Sequence, residues 1–172
     1  MKLIEINKAT YRKNLNQVII GFIAIFLVLA LAFGAGLISV FSTVIETGEG
    51  DNFRYNLLGV IFALLVCLFI LNKLKNKMFF KEVLYVWQLK QIHNRVYRKL
   101  KKIKAASEQG DVNALIILNY YYQSQKQVIL LDDNTLVISK LNQNINSLNE
   151  LISAKQLVLS TDPFEESMVA SF

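Results

Sequence analysis

Two long apolar runs, joined by a short acidic link, constrain this chain more than any other feature of its sequence. Val18–Ile45 contains 28 residues without a charge, and Tyr55–Leu71 contains 17. As α-helices they would measure about 42 Å and about 25 Å, against a bilayer hydrocarbon core of about 30 Å. We therefore expect a transmembrane hairpin over residues 18–71, with a link at 46–54.

Charges are distributed asymmetrically around these runs. The net charge is +3 for residues 1–17, −2 for residues 46–54, +10 for residues 72–106 and −5 for residues 107–172. Cytoplasmic flanks of membrane spans carry an excess of Lys and Arg. The distribution therefore predicts that both termini lie in the cytoplasm and that the link lies outside.

The remainder of the chain is typical of amphipathic helices. Apolar residues recur at steps of three and four over 82–106, 111–131 and 134–159, and a bend is expected near Asn76. Asp111 suits a helix N-cap, and Gly110 before it suits a positive φ.

The predicted fold is an all-α membrane protein, a two-helix transmembrane hairpin followed by a three-helix cytoplasmic bundle. The predicted segments are a cytoplasmic amphipathic lead-in at 1–17, the hairpin at 18–71 with spans at about 18–45 and 55–71, a cytoplasmic helical module at 72–159, and a loose acidic tail at 160–172.

Small residues recur along the first apolar run. A spacing of four places small residues on one face of a helix and lets another backbone approach closely. This pattern allows packing against the second span of the same chain, or a seam between copies. The predicted helix-packing seam consists of Ala30, Gly34, Ala35, Gly36 and Ser39.

Basic and aromatic residues flank the predicted spans and favour contact with anionic lipid of the inner leaflet. Tyr11 fits an interfacial aromatic residue in this pattern. The predicted headgroup contacts are Arg12, Lys13, Lys73, Lys75, Lys77 and Trp87.

The helix predicted at 82–106 has a strongly basic face, which is open to three interpretations. It could attract anionic lipid, bind nucleic acid, or pair with the acidic C-terminal block of the same chain. Lipid is the nearer anion, because this helix begins about ten residues after the predicted membrane exit. We therefore expect no nucleic-acid partner.

Side chains that could carry chemistry are isolated. His93 is the only histidine and Cys67 the only cysteine, so neither has a companion imidazole or thiolate for a metal site. No phosphate-binding loop, paired-carboxylate motif or nucleophile elbow occurs. We therefore expect neither an enzyme nor a cofactor. The run Tyr120–Tyr122 points in three directions on a helix, so at least one ring is expected to be exposed or at a contact, which suggests a partner surface.

The favoured function is a non-catalytic integral membrane protein whose cytoplasmic helical module mediates self-association or scaffolding. Its expected partners are membrane lipids, a second copy of the chain, and an unidentified membrane or cytoplasmic protein. The alternative is a small oligomeric channel lined by the first span through Gly34, Ser39, Ser42 and Thr43.

Four landmarks resemble a small proteobacterial family of two-span inner-membrane proteins known only as a domain of unknown function. They are Gly50-Asp-Asn-Phe-Arg-Tyr-Asn-Leu57, Tyr85-Val-Trp-Gln-Leu-Lys90, Gly110-Asp111 with Ala114, and Leu131-Asp132 with Asn134. The resemblance implies a multi-pass protein of the bacterial inner membrane, and it supplies no activity. It singles out an outer-loop motif, Asp51, Asn52 and Arg54, together with Trp87, Gln88 and Asp132 as positions for a site.

Overall fold

The chain folds into helices. The computed structural model describes residues 1–41 and 52–172, and within these ranges it contains no β-strand. Its α-helices are α1 (Lys8–Phe41), α2 (Phe53–Leu74), α3 (Lys81–Gln109), α4 (Val112–Leu131), α5 (Ile138–Ala154) and α6 (Glu166–Ala170), with 3-10 turns at Met78–Phe80 and Thr135–Val137. The all-helical prediction is confirmed for this part of the chain. The predictions for Ser42, Thr43 and Asp51, and for most of the link, lie outside the described residues.

Two compact units divide the chain. The first, the helical unit, combines an N-terminal arm, Met1–Arg12, with Glu82–Phe172; the second, the hairpin unit, is Lys13–Lys81. The sequence predicts a separate lead-in at residues 1–17. The boundary instead falls inside α1, because the first twelve residues make their contacts with the helical unit.

The hairpin unit consists of most of α1 together with α2 and a short 3-10 turn. Both helices are long and apolar enough to cross a membrane, and only 6% and 17% of their most apolar 18-residue windows are buried. After α2, Lys77 is extended, with φ −76° and ψ 147°. This break produces the bend expected near Asn76.

Helix α4 forms the centre of the helical unit. Every residue from Ala114 to Tyr122 is buried, because α3, α5, the arm and the C-terminal segment all supply neighbours. All three rings of Tyr120–Tyr122 are therefore buried within the chain, and none of them is exposed as a partner surface. The prediction of a partner surface there assumed a solvent face along the whole helix, whereas residues 114–122 are buried on all sides.

The C-terminal segment differs from the loose tail that its polar composition suggested. Phe164 stacks on Tyr120 with ring centroids 3.8 Å apart and an interplanar angle of 10°. Phe164 and Val169 are both buried, and α6 follows directly after Glu165. Two well-spaced apolar side chains therefore fold the segment back onto the helical unit.

Schellman-type bonds end three helices of this unit. The N–H groups of Asp111, Asn134 and Leu157 donate to carbonyls five residues earlier, at 3.0, 3.1 and 3.2 Å. Each motif needs a residue with positive φ just before the donor. Gly110, Asp133 and Gln156 supply it, with φ of 95°, 57° and 55°. The third motif ends the last predicted helix early, at Ala154 rather than near residue 159.

Candidate functional site

A turn with two adjacent carboxylates follows α4. Asp132 is the C-cap of α4 and Asp133 is left-handed, with φ 57°. Asn134 closes the turn by donating its N–H to the carbonyl of Ile129, at 3.1 Å. Asp tolerates this backbone conformation better than most residues. The turn presents both carboxylates to the N-terminal arm.

The two carboxylates hold the first turns of α1. Tyr11 Oη donates to Asp132 Oδ1 at 2.9 Å, and Lys90 Nζ lies 2.7 Å from Asp132 Oδ2. Asp133 forms ion pairs with both Lys8 and Arg12. The hydrogen bond from Lys8 lowers the pKa of Asp133 below its ordinary value, assisted by the charges of Lys8 and Arg12.

Nearer the N-terminus of the arm, both the N–H and the carbonyl of Ile4 form hydrogen bonds. Its N–H donates to Tyr85 Oη at 3.0 Å, and its carbonyl accepts from Gln127 Nε2 at 2.6 Å. Lys2 lies 3.8 Å from Asp162. These contacts join residues more than 80 positions apart, and we call them, with the Asp132–Asp133 turn, the clasp.

The clasp changes two sequence-based assignments. Tyr11 was interpreted as an interfacial aromatic residue, but it is only 2% exposed. Arg12 was predicted to contact lipid headgroups, but its guanidinium faces Asp133. Surface ion pairs contribute little individually, whereas a hydrogen bond from a buried hydroxyl to a carboxylate contributes about 1.5–3 kcal/mol. The geometry therefore suits a structural fastening.

The C-terminal segment occupies much of the basic face of α3. Arg95 pairs with Glu166, and Lys99 Nζ donates to the carbonyls of Val169 and Ala170 at 2.8 and 3.2 Å. Lys102 Nζ donates to the Phe172 carbonyl at 3.2 Å. Of the three interpretations of this face, pairing within the chain is observed for these side chains and for Lys90.

The predicted seam is divided between opposite faces of α1. Gly34 is buried where α1 and α2 cross: a Cβ on Gly59 would lie 2.5 Å from the Gly34 nitrogen. At 100° per residue, Ala30 lies near Gly34, whereas the other three seam positions lie on the far side. Those three, Ala35, Gly36 and Ser39, are exposed, and a Cβ on Gly36 would meet nothing within 4 Å.

This division also affects the channel alternative. Gly34 and Ser39 differ by about 140° around α1, so they do not share a lining surface. The Ser39 hydroxyl donates to the carbonyl of Gly36 at 2.8 Å. A pore lined by the first span stays a prediction.

The other predicted site residues do not take part in the contacts of the clasp. Lys13, Lys73, Lys75 and Lys77 are exposed in the hairpin unit. Trp87 is 57% exposed and borders a cavity of about 470 Å³ with Met1, Gln88, Gln91, Arg95 and Glu166. Asn52 precedes α2, and Arg54 lies in its first turn.

His93 lies inside the helical unit. The Ser124 hydroxyl donates to the Tyr121 carbonyl at 3.0 Å, so Ser124 Oγ accepts from His93 Nε2, 2.8 Å away. The Tyr121 ring packs edge-on against the imidazole, with centroids 5.7 Å apart. Burial, and secondarily the charge of Lys90, lowers the pKa of His93 to about 4. The neutral ring therefore serves as a packed hydrogen-bond donor at neutral pH.

Sequence reasoning identified Asp132 but missed its partner Tyr11 and the adjacent Asp133. The contacts span more than 120 residues, so no local spacing reports them. The sequence contains one signal for this contact, namely a basic N-terminal segment together with two adjacent acidic residues at the end of a predicted helix. In the described ranges, no group of three or more His, Cys, Asp or Glu residues is arranged to hold a metal ion.

One family model matches nearly the whole chain. The family described as "Protein of unknown function (DUF3087)" covers residues 1–169, so the chain belongs to this family. No curated protein and no solved structure matches the chain.

Proposed function

We propose that this DUF3087 family member is an integral protein of the bacterial inner membrane, with both termini in the cytoplasm. The observation that carries the proposal is the exposure of α1 and α2, whose apolar windows are 6% and 17% buried. Large apolar surfaces of this kind are rare on water-soluble monomers. A bilayer accommodates them, since every backbone group of a helix is satisfied internally.

The topology follows from charge. The proposed hairpin is flanked by basic segments at both inner ends, while the link carries Glu46, Glu49 and Asp51. The basic ends are also expected to attract anionic lipid. On the proposed cytoplasmic side lies the helical unit, a bundle of α3, α4 and α5 completed by the arm and α6.

The proposed role is non-catalytic: self-association and scaffolding through the helical unit and the exposed face of α1. We call Ala35, Gly36 and Ser39 the outer seam. Small residues on an exposed face suit the close approach of a second α1 in a membrane. An unidentified membrane or cytoplasmic protein is the further partner proposed for the helical unit.

Reporter fusions test the membrane proposal. For topology, a reporter active only in the cytoplasm and one active only in the periplasm are each fused after Phe172. For membrane integration, the membranes are washed with alkaline carbonate. We expect cytoplasmic activity and retention in the membrane pellet. Residue 172 outside the cell, or a chain soluble without detergent, would overturn the proposal.

A substitution tests self-association. Gly36→Leu places a large side chain on the outer seam, where the single chain has open space, and Gly36→Ala is the matched small control. We expect the detergent-solubilised wild type and Gly36→Ala to share an oligomeric mass that Gly36→Leu loses. A monomeric wild type, or an unchanged Gly36→Leu oligomer, would contradict the outer seam.

A further inference from the structure

A groove in the hairpin unit remains open although apolar side chains line it. It lies between α1 and α2 and has a volume of about 130 Å³. Its lining includes Gln17 and Gly21 of α1, Ile70 and Leu74 of α2, and Phe79 and Phe80 of the 3-10 turn. Apolar cavities of about this size bind a single small hydrocarbon such as benzene. The space therefore suits a section of one hydrocarbon chain.

Gly21 and the break after α2 create this space. A Cβ at Gly21 would meet nothing within 4 Å, so the missing side chain leaves the wall of α1 open. After the extended Lys77, the 3-10 turn places the rings of Phe79 and Phe80 along the groove, with centroids 5.4 Å apart.

Lysines flank one end of the groove along the sequence. Leu74 lines it, and Lys73, Lys75 and Lys77 lie within three residues of Leu74. On α1, Gln17 is the one polar lining side chain, and Lys13 lies one helical turn before it on the same face. The sequence has no Asp or Glu in 13–45 or 52–81, so these ranges offer no carboxylate to neutralise the lysines.

We infer that this groove is a binding site for one anionic phospholipid, with an acyl chain between α1 and α2 and its headgroup among the lysines. The inference rests on the proposed function, since it requires the hairpin to lie in a membrane. Charge complementarity selects the occupant: a zwitterionic lipid would fill the apolar part equally but would leave the lysines without a net negative partner. Basic residues near a bilayer surface each favour anionic lipid.

Retention of lipid by the full chain tests this site. The protein is incorporated into nanodiscs of equal phosphatidylglycerol and phosphatidylcholine, extracted in mild detergent, and weighed by native mass spectrometry. We expect one retained phosphatidylglycerol, preferred by about fivefold for each lysine that contacts the headgroup. Equal retention of the two lipids by the wild type would overturn the site.

Matched variants separate the groove from general lipid contact. Gly21→Leu fills the groove and is expected to lose the retained phosphatidylglycerol. Ala24→Leu adds a similar side chain at an exposed position that does not line the groove, and it should retain the lipid. Replacing Lys73, Lys75 and Lys77 together with Gln should abolish the preference for phosphatidylglycerol. Unchanged retention in Gly21→Leu would overturn the site.

A measurement on the wild type covers the case in which a variant fails to fold. Phosphatidylglycerol with a photoreactive acyl chain, irradiated after extraction into detergent so that only retained lipid is present, should label Phe22 and Ile70 in preference to the exposed Ile20 and Leu68. Even labelling of both sets would contradict the site. Absence of the chain from carbonate-washed membranes would instead refute the proposed function, so the two failures are distinguishable.

Discussion

Two largely buried polar side chains in the helical unit, Tyr11 and His93, are held by partners that are distant in sequence. Tyr11 and Asp132 are separated by 121 positions, and His93 and Ser124 by 31. A hydroxyl or imidazole removed from water needs such a partner to offset the loss of hydration. Single substitutions at these positions therefore measure how much each contact contributes.

Acidification is expected to destabilise the helical unit through His93. Its pKa is about 4 when folded, against 6.5 for the free side chain, so between these values the unfolded state binds more protons. The free energy of unfolding is therefore not reduced by this group above about pH 6.5. It falls by on the order of 3 kcal/mol as the pH decreases to about 4. The fluorescence of Trp87, the single tryptophan, can follow unfolding of the full chain in detergent at pH 7 and 4.5.

Carboxylates also take up protons as the pH approaches 4, so the effect of His93 needs its own control. His93→Gln retains an N–H donor but cannot take up the proton. Its stability should fall less between pH 7 and 4.5 than that of the wild type. Equal losses would show that His93 does not cause the acid sensitivity.

Removing one hydroxyl tests the clasp. Tyr11→Phe deletes the donor to Asp132 while retaining the ring, and it should lower the unfolding free energy of the helical unit by about 1.5–3 kcal/mol. Tyr97→Phe makes the same chemical change at a ring that is 69% exposed, and it should have no measurable effect. Denaturant titrations followed by Trp87 fluorescence compare the two, and equal stability of both variants would exclude a role for the Tyr11 hydroxyl.

At the scale of elements, the crossing of α1 and α2 depends on two glycines. A Cβ on Gly59 would lie 2.5 Å from the Gly34 nitrogen and 2.8 Å from its Cα. Because these are backbone atoms, the helices must separate to admit a side chain. Gly59→Val should therefore lengthen the distance between spin labels on cysteines at Val40 and Leu57, in a Cys67→Ala background. Gly36→Val, where space is open, should leave this distance unchanged; equal distances in both would contradict the crossing.

The C-terminal segment depends on one aromatic stack. Phe164→Ala removes the ring that covers Tyr120 and should cost about 3 kcal/mol, at the lower end for a buried Phe. Val158→Ala is the control, because that side chain is fully exposed. Protease digestion provides a second measurement, since cleavage near the C-terminus should accelerate in Phe164→Ala alone. Protection equal to that of the wild type would indicate that the Arg95–Glu166 ion pair and the hydrogen bonds from Lys99 and Lys102 suffice.

At the scale of the whole molecule, the sequence predicted features that are encoded locally. Asp111 caps α4 by accepting from Ala114 N–H at 3.1 Å, and Gly110 takes the positive φ that its position suggested. Caps and turns need only a few neighbouring residues, so their residue types report them directly.

Features that depend on distant partners were not predictable in this way. The periodicity of α4 could not reveal that residues 114–122 are covered on all sides, and the composition of the last segment could not reveal that Phe164 stacks on Tyr120. The clasp is of the same kind, because Tyr11 fits an interfacial residue equally well until Asp132 is placed beside it. Local patterns specify elements, whereas burial of a given side chain depends on the tertiary arrangement.

The division into two units predicts two responses to urea. Urea favours unfolding in proportion to the surface that unfolding exposes to water. The helical unit exposes such surface when it unfolds. Helices in a micelle instead keep their backbone hydrogen bonds in an apolar environment. Trp87 fluorescence of the detergent-solubilised chain should therefore show a complete transition while circular dichroism retains about two fifths of the α-helical signal, the share that the hairpin unit contributes. Tyr11→Phe should shift the fluorescence midpoint to lower urea and leave the retained helical signal unchanged, because its hydrogen bond lies within the helical unit. Loss of all helical signal in the same transition would show that the two units unfold as one.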